Sequence, residues 1–257
     1  MKNNLNKIIS IKNEKINYFY KLKQKKYILK EKLFLIEGKN IIIEALKNDY
    51  VETILLLDQN DYKDFKGQKI LVNQKIIDKL SFNKIGNQAI AICKIKNDLF
   101  IENKQNFKKI IVLDKIQDPI NLGLIIRSTL GFNFDAIYVL DQSVFLYNNR
   151  VISGSQGTIF SLPVFYLKDL NLLDEYQKYL FLIDPKAEKL LDIKIIKENK
   201  IALVFGNEGK GISDKFLNLK NSKKVYIETA NNLDSFNVAI SASIALFYFQ
   251  IISKNNL

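Results

Sequence analysis

Apolar residues fall along this chain in short runs whose spacing changes repeatedly. Leu33–Glu37, Val51–Leu57, Lys69–Val72 and Ala89–Ile95 are brief and nearly continuous, as strands are. Asn40–Lys47 and Gln74–Leu80 space their apolar residues as helices do. The pattern predicts a small α/β unit over 33–95. A polar stretch, bounded at 97–108, reads as a linker. Beyond it Lys109–Asp114, Ala136–Leu140, Tyr179–Ile183, Ile201–Phe205 and Lys224–Ile227 read as strands, and Asn121–Phe132 and Ser235–Ile252 as helices. Strands that are apolar throughout and alternate with helices imply a parallel sheet covered on both faces. In such sheets ligands bind beyond the carboxyl ends of the strands. The predicted organisation is α/β throughout: a basic extension and small domain over 1–96, the linker, and a parallel-sheet domain over 109–257.

Composition narrows the function classes. Apolar residues make up 47% of the 257, enough for a sizeable core. No apolar run approaches the length of a membrane span, and Met1–Lys7 lacks the apolar stretch of a secretion signal. Cys93, the single cysteine, lies in an apolar run and is expected as a buried strand residue. A cytoplasmic location is expected. Histidine is absent, which removes the usual general base and the commonest metal ligand. A Ser-His-Asp triad is therefore excluded, and no metal site is expected.

Charge adds a partner. The net charge of +12 points to RNA or DNA, although a composition rich in Lys, Asn and Ile raises it without any site. Ten of the first 32 residues are Lys, and Lys21, Lys23, Lys25 and Lys26 interleave with Tyr20, Leu22 and Tyr27. A charge run is often only a solvated face; the aromatics favour nucleic-acid contact here. The chain has two arginines, Arg127 and Arg150, against 37 lysines. An arginine that survives such a bias is expected where a planar fork holds phosphate or carboxylate at two points and an ammonium cannot.

Three constellations carry candidate chemistry. In the first, Asp118, Pro119, Asn121, Gly123 and Arg127 follow the strand ending at Asp114. A strand–turn–helix connection with an N-cap would by itself account for Asp118, Pro119 and Asn121. In the second, Gly206, Gly209 and Gly211 follow an apolar strand and enclose Asn207 and Glu208. This spacing is neither a dinucleotide fingerprint nor a Walker loop, but it lets a ligand approach the backbone. Glu208 is expected on the buried side, where a carboxylate needs a partner. In the third, Ser235–Val238 opens the last helix, with Ser235 as its cap and Asn237 in its first turn.

In this order and spacing the three resemble the signature motifs of the SpoU branch of the SPOUT RNA methyltransferases. Asp118 to Arg127 matches the Asp-Pro-x-Asn-x-Gly-x-x-x-Arg motif at every named position, Gly206 to Gly211 matches Gly-x-Glu-Gly-x-Gly, and Ser235–Val238 is similar to Ser-Leu-Asn-Val. Residues 20–95 are similar to the ribosomal-protein-like substrate-binding domain of rRNA-type members. The resemblance implies a deep trefoil knot in the parallel-sheet domain, a rare topology. It also implies a homodimer and S-adenosylmethionine as cofactor, held mainly by backbone at Gly206, Ile227 and Phe236, with Asn207, Gly211 and Leu233 beside them. Phe236 stands where the family has Leu, Ile227–Thr229 lacks the usual proline, and Asn133 replaces a common glycine. In Asn149–Gly157, Arg150 stands at a position where relatives carry Lys, and Ser153 where they carry Arg; Arg150 is the expected RNA contact there.

The implied reaction is methyl transfer to a ribose 2′-hydroxyl of structured RNA. Arginine is almost never deprotonated, so Arg127 is expected to grip phosphate and stabilise charge on the 2′-oxygen. Asn121, Glu208, Ser235 and Asn237 would orient the ribose and the arginine. The basic N-terminal domain favours rRNA over tRNA. A non-catalytic RNA-binding or ribosome-assembly protein of the same fold is the alternative, against which Asn121, Arg127, Glu208 and Asn237 stand.

Overall fold

The computed structural model describes residues 6–83, 88–96, 100–103, 105–194, 200–230 and 233–255. Part of the predicted linker, 97–99 and 104, lies outside the described residues. The chain forms two compact units, Met1–Asn97 with Phe145–Ser161, and Asp98–Val144 with Leu162–Leu257.

The first unit contains β1 (Asn6–Ile8), α1 (Glu14–Lys21), α2 (Lys25–Glu31), β2 (Leu33–Glu37), α3 (Lys39–Lys47), β3 (Val51–Leu56), β4 (Gln68–Val72), α4 (Gln74–Leu80) and β5 (Ala89–Lys94). Its strands lie in the order β1-β4-β3-β5-β2. β1 and β3 run parallel to β4, whereas β5 is antiparallel to β3 and β2. Ile16 and Phe19 of α1 and Ile76, Ile77 and Leu80 of α4 pack with Leu35, Leu55, Ile90 and Ile92 of the sheet. The basic N-terminal run is thus not an extension. Its helices carry core residues at helical spacing, which the dense lysines obscure in the sequence.

Residues 145–161 belong to this unit, although the sequence pattern gives no reason to separate them from the later strands. The Phe34 ring lies 4.5 Å from Tyr147 and 6.2 Å from Phe160, and Tyr50 lies 4.9 Å from Phe160. Gly157, at φ +86°, permits the close approach. A Cβ there would sit 3.0 Å from the Cβ of Glu44 and 3.3 Å from the Cα of Ile41.

The second unit contains β6 (Phe100–Ile101), β7 (Lys109–Leu113), α5 (Pro119–Gly131), β8 (Ala136–Leu140), β9 (Val164–Leu167), β10 (Tyr176–Phe181), β11 (Glu188–Lys189), β12 (Lys200–Phe205), α7 (Asp214–Leu217), β13 (Ser222–Tyr226) and α8 (Val238–Asn255); α6 (Asn149–Ser155) lies in the first. Among the described residues its eight strands, in the order β11-β13-β10-β12-β7-β8-β9-β6, are all parallel. The parallel sheet expected from the apolar runs is therefore present. β10 starts three residues before the sequence reading because Lys178 interrupts its apolar pattern. Lys178 is 1% exposed, and its ammonium donates to the carbonyls of Leu173 and Tyr176, each at 2.8 Å. Burial holds its pKa below the usual lysine value.

The final helix begins at Val238, not at Ser235. Asn237 caps it: its Oδ1 accepts from Ala239 N at 2.8 Å and its carbonyl accepts from Ser241 N at 2.9 Å. Asn133, where a glycine is common, has φ +57°, a conformation that asparagine tolerates.

Candidate functional site

Three parallel strands, β10, β12 and β13, end together at a cleft of about 600 Å³ in the second unit. Phe181, Phe205 and Tyr226 come from the strand ends, Gly206–Ile212 from the loop after β12, and Asp234–Val238 from the approach to α8. Two of the three constellations thus line one space. The rings of Phe181 and Phe205 stack at 4.5 Å and floor it.

The glycine-rich loop is held at both ends by the end of β7. Asn207 Nδ2 donates to the Lys115 carbonyl at 3.0 Å, and the Asp114 carboxylate accepts from Ser213 N at 2.7 Å and from the Ser213 hydroxyl. Asn207 and Gly211 bond to each other through their backbones at 3.0 and 2.9 Å, while Asn207 Oδ1 accepts from Gly209 N and Lys210 N. This closes the loop so tightly that a Cβ on Gly206 would lie 2.1 Å from the Gly211 carbonyl carbon. Gly206 is therefore required by the loop's own backbone before any ligand arrives. Asp114 is 1% exposed, and its second oxygen, also buried, has no hydrogen-bond partner among the described residues. Sequence reading passes over Asp114; a lone carboxylate at the carboxyl end of an apolar parallel strand is the available signal.

The first constellation joins the others through Asn121. Asp118 caps α5 by accepting from Ile120 N and Asn121 N at 2.7 and 2.9 Å, which fixes Asn121 in the first turn. Asn121 is buried; its Nδ2 donates to Glu208 Oε1 at 3.0 Å, and its Oδ1 accepts from Asn237 Nδ2 at 3.0 Å. One amide thereby ties residues from three separate segments into a chain, Asn237 to Asn121 to Glu208. Glu208 is exposed, contrary to the expectation from sequence, yet it has the expected partner. Its place at the tip of the closed loop puts it in solvent.

Arg127 is exposed on α5 and forms no ion pair among the described residues. It shares its helix face with Ile120 and Leu124, at positions i, i+4 and i+7, and both of these are exposed apolar residues. Ser235 is exposed; it lines the cleft together with Asn207, Gly211, Ile227 and Phe236. Leu233 does not line it: its side chain is exposed and its carbonyl accepts from Thr229 Oγ1 at 2.7 Å. The cleft's charged lining is Asp184, Glu208 and Asp234 against Lys210, acidic within a strongly basic chain.

Of the basic candidates in the first unit, Lys21, Lys25 and Lys26 are exposed, with their ammonium groups over the rings of Tyr27, Phe145 and Tyr27 at 5.9, 5.3 and 4.8 Å. Lys23 turns inward. Its ammonium donates to the Ser81 carbonyl at 2.7 Å and lies 5.3 Å from the Tyr20 ring and 5.1 Å from Phe82. Burial lowers its pKa, opposed in part by Glu37. Arg150 is exposed in the first turn of α6. No cluster of His, Cys, Asp or Glu suited to a metal occurs among the described residues, and no helix among them is long and apolar enough to cross a membrane.

Comparisons with known proteins agree with this arrangement. Residues 108–247, more than half of the chain, match the SpoU rRNA Methylase family, and residues 13–91 match the MRM3-like substrate binding domain. The 23S rRNA (guanosine(2553)-2'-O)-methyltransferase RlmP of Bacillus subtilis is 28% identical over 258 residues, covering 96% of this chain and 100% of that protein. An uncharacterized tRNA/rRNA methyltransferase of Borreliella burgdorferi is 29% identical over 90% of this chain and 96% of its own length. Among solved structures, the AdoMet-bound rRNA methyltransferase from Sinorhizobium meliloti superposes with a TM-score of 0.84 at 20% identity over 98% of each chain. The SpoU methyltransferase AviRb from Streptomyces viridochromogenes does so at 0.81, with 17% identity over 95% and 99%. At these identities the structures show a shared fold.

Proposed function

This chain belongs to the SpoU rRNA methylase family, and we propose that it transfers a methyl group from S-adenosylmethionine to a ribose 2′-hydroxyl of 23S rRNA. The observation that carries the proposal is the hydrogen-bonded chain Asn237–Asn121–Glu208 at the cleft, with an exposed arginine on the same helix that forms no ion pair among the described residues. Binding alone gives no reason to tie three segments together through one buried amide. The RNA activity named for the Bacillus subtilis relative supports rRNA as the substrate.

The cleft suits the cofactor in three respects. Its loop presents backbone from Gly206 to Gly211, its floor is aromatic, and its acidic lining favours a ligand that carries a sulfonium and an ammonium over the phosphates of RNA. When bound there, S-adenosylmethionine supplies an electrophilic methyl group. Gly206, Asn207, Ile227 and Phe236 would hold it largely through main chain. Asn121 fixes the Glu208 carboxylate, Asn237 fixes Asn121, and Ser235 offers a hydroxyl to the ribose. Arg127 keeps its protons, so it acts by charge, gripping a target phosphate and stabilising the 2′-oxygen as its proton passes to solvent water. Much of the acceleration comes from alignment of that oxygen.

The working form is a homodimer. Ile120 and Leu124 of α5 and Ile240, Phe247 and Ile251 of α8 are exposed, and the two helices pack through a Ser128–Ser243 hydroxyl contact of 2.8 Å and a Phe132–Phe247 ring contact of 6.0 Å. A contiguous apolar face of this kind fits a second copy. A trefoil knot in the second unit belongs to the same reading. The direct test is to incubate the protein and S-adenosylmethionine with unmodified 23S rRNA and map 2′-O-methyl groups. One new methylated ribose is expected; none, with cofactor bound, overturns the reading.

A further inference from the structure

The segment 145–161 builds a second site, within the first unit. Together with the end of β2 and the start of α3 it encloses a pocket of about 310 Å³, at the lower end of the range for small-ligand sites. Ile41, Phe82 and Ile152 give it apolar walls, and Asn40, Asn149 and Ser153 give it neutral polar groups. The side chains of these three make no hydrogen bond among the described residues. Glu37, the one acid in the lining, is committed elsewhere. Its carboxylate accepts from the Ser81 hydroxyl and from the backbone N–H of Phe82 and Asn83 at 2.9 and 3.0 Å. α3 opens at Gly38 without a side-chain cap among the described residues, which leaves its first N–H groups available, and Lys39 is exposed.

These groups match the parts of one nucleotide. Carboxamides offer donor and acceptor together, as a base edge requires, and apolar walls suit the faces of a base. An open helix start with a lysine suits a phosphate. We propose that this pocket takes one unpaired nucleotide of the RNA substrate, with Asn40 and Asn149 reading the base and Lys39 and the start of α3 holding its phosphate. The proposal rests on the RNA reading above. RNA is the source favoured over a free nucleotide because the same unit carries the exposed cations Lys21, Lys25, Lys26 and Arg150, which suit a polyanion.

The test is the full-length double variant Asn40→Ala/Asn149→Ala, with an unmodified 23S rRNA transcript as probe at several salt concentrations. Affinity should fall about tenfold or more, and the slope of log K against log salt should stay at the wild-type value, because amides displace no counterions. Asn149→Asp, nearly isosteric, should lose more by repelling phosphate. S-adenosylmethionine binding and melting temperature should not move in either variant. Unchanged RNA affinity overturns the proposal, as does a loss accompanied by a shallower salt slope. Saturation of the pocket by AMP or UMP with RNA affinity untouched also overturns it, in favour of a free nucleotide. A protein that methylates no RNA but whose double variant still loses RNA affinity would sink the methyl-transfer reading and leave the pocket standing.

Discussion

Replacing Asn121 breaks both links of the Asn237–Asn121–Glu208 chain at once. The bond to Glu208 has a charged acceptor, a type worth about 1.5–3 kcal/mol, and the bond to Asn237 is a neutral one worth about 1 kcal/mol. Glu208 and Asn237 are both exposed, and water replaces what they lose. Asn121→Ala should therefore cost only about 1–2 kcal/mol of stability, a few degrees of melting temperature. Turnover should suffer more. Without Asn121 the Glu208 carboxylate and Asn237 lose their fixed positions, and a fall of about 10²-fold in single-turnover methyl transfer is expected, about 2.7 kcal/mol of barrier. Asn121→Asp is more telling. It sets a second carboxylate where an amide now lies 3.0 Å from Glu208, and two such groups raise one another's pKa. Only the protonated aspartic acid can donate to Glu208, so the variant's rate should rise as pH falls into that raised range and decline above it. The assay is single-turnover transfer of labelled methyl to saturating RNA across pH. An Asn121→Ala enzyme within about threefold of wild type, or an Asn121→Asp enzyme whose rate tracks the wild-type pH profile, would refute the reasoning.

Lys21, Lys25, Lys26 and Lys30 are exposed, and changing all four to Gln should weaken RNA binding and reduce the salt slope by about one for each phosphate left without its lysine. An unchanged slope would return them to a solvated face. Truncation is not a clean substitute, because the first 30 residues include Ile16, Phe19 and Leu22 of the core. Gly206→Ala should lower the melting temperature and weaken S-adenosylmethionine binding together, since its Cβ would meet Gly211 backbone at 2.1 Å; calorimetry that finds normal cofactor affinity at an unchanged melting temperature would count against the closed loop. Leu124→Glu, on the exposed face of α5, should give monomers in sedimentation; a dimer that persists would place the interface elsewhere.

The long apolar strands and the three motifs are legible in the sequence because each carries its signal locally. Asp118 announces a cap, and Gly206–Gly211 announces a turn after a strand. What escapes depends on contacts between distant residues. Lys178 hides the start of β10 because its charge is satisfied by carbonyls rather than by solvent. α1 is masked by lysines whose neighbours Ile16 and Phe19 are nonetheless core. Ser235 has the residue type of a cap for α8, but Asn237 takes that role while also reaching Asn121. Asp114 reads as the polar end of a strand until Ser213, 99 residues later, folds onto it.

Arg127→Lys tests the central claim most directly. Arg127 is exposed, has no ion pair among the described residues and lies outside the cleft lining, so the change should leave melting temperature and S-adenosylmethionine affinity near wild type. If the guanidinium fork holds a phosphate and steadies the 2′-oxygen, methyl transfer to RNA should fall by about 10²-fold or more. An Arg127→Lys enzyme that methylates 23S rRNA at close to the wild-type rate would show that positive charge alone suffices there, and would contradict the account.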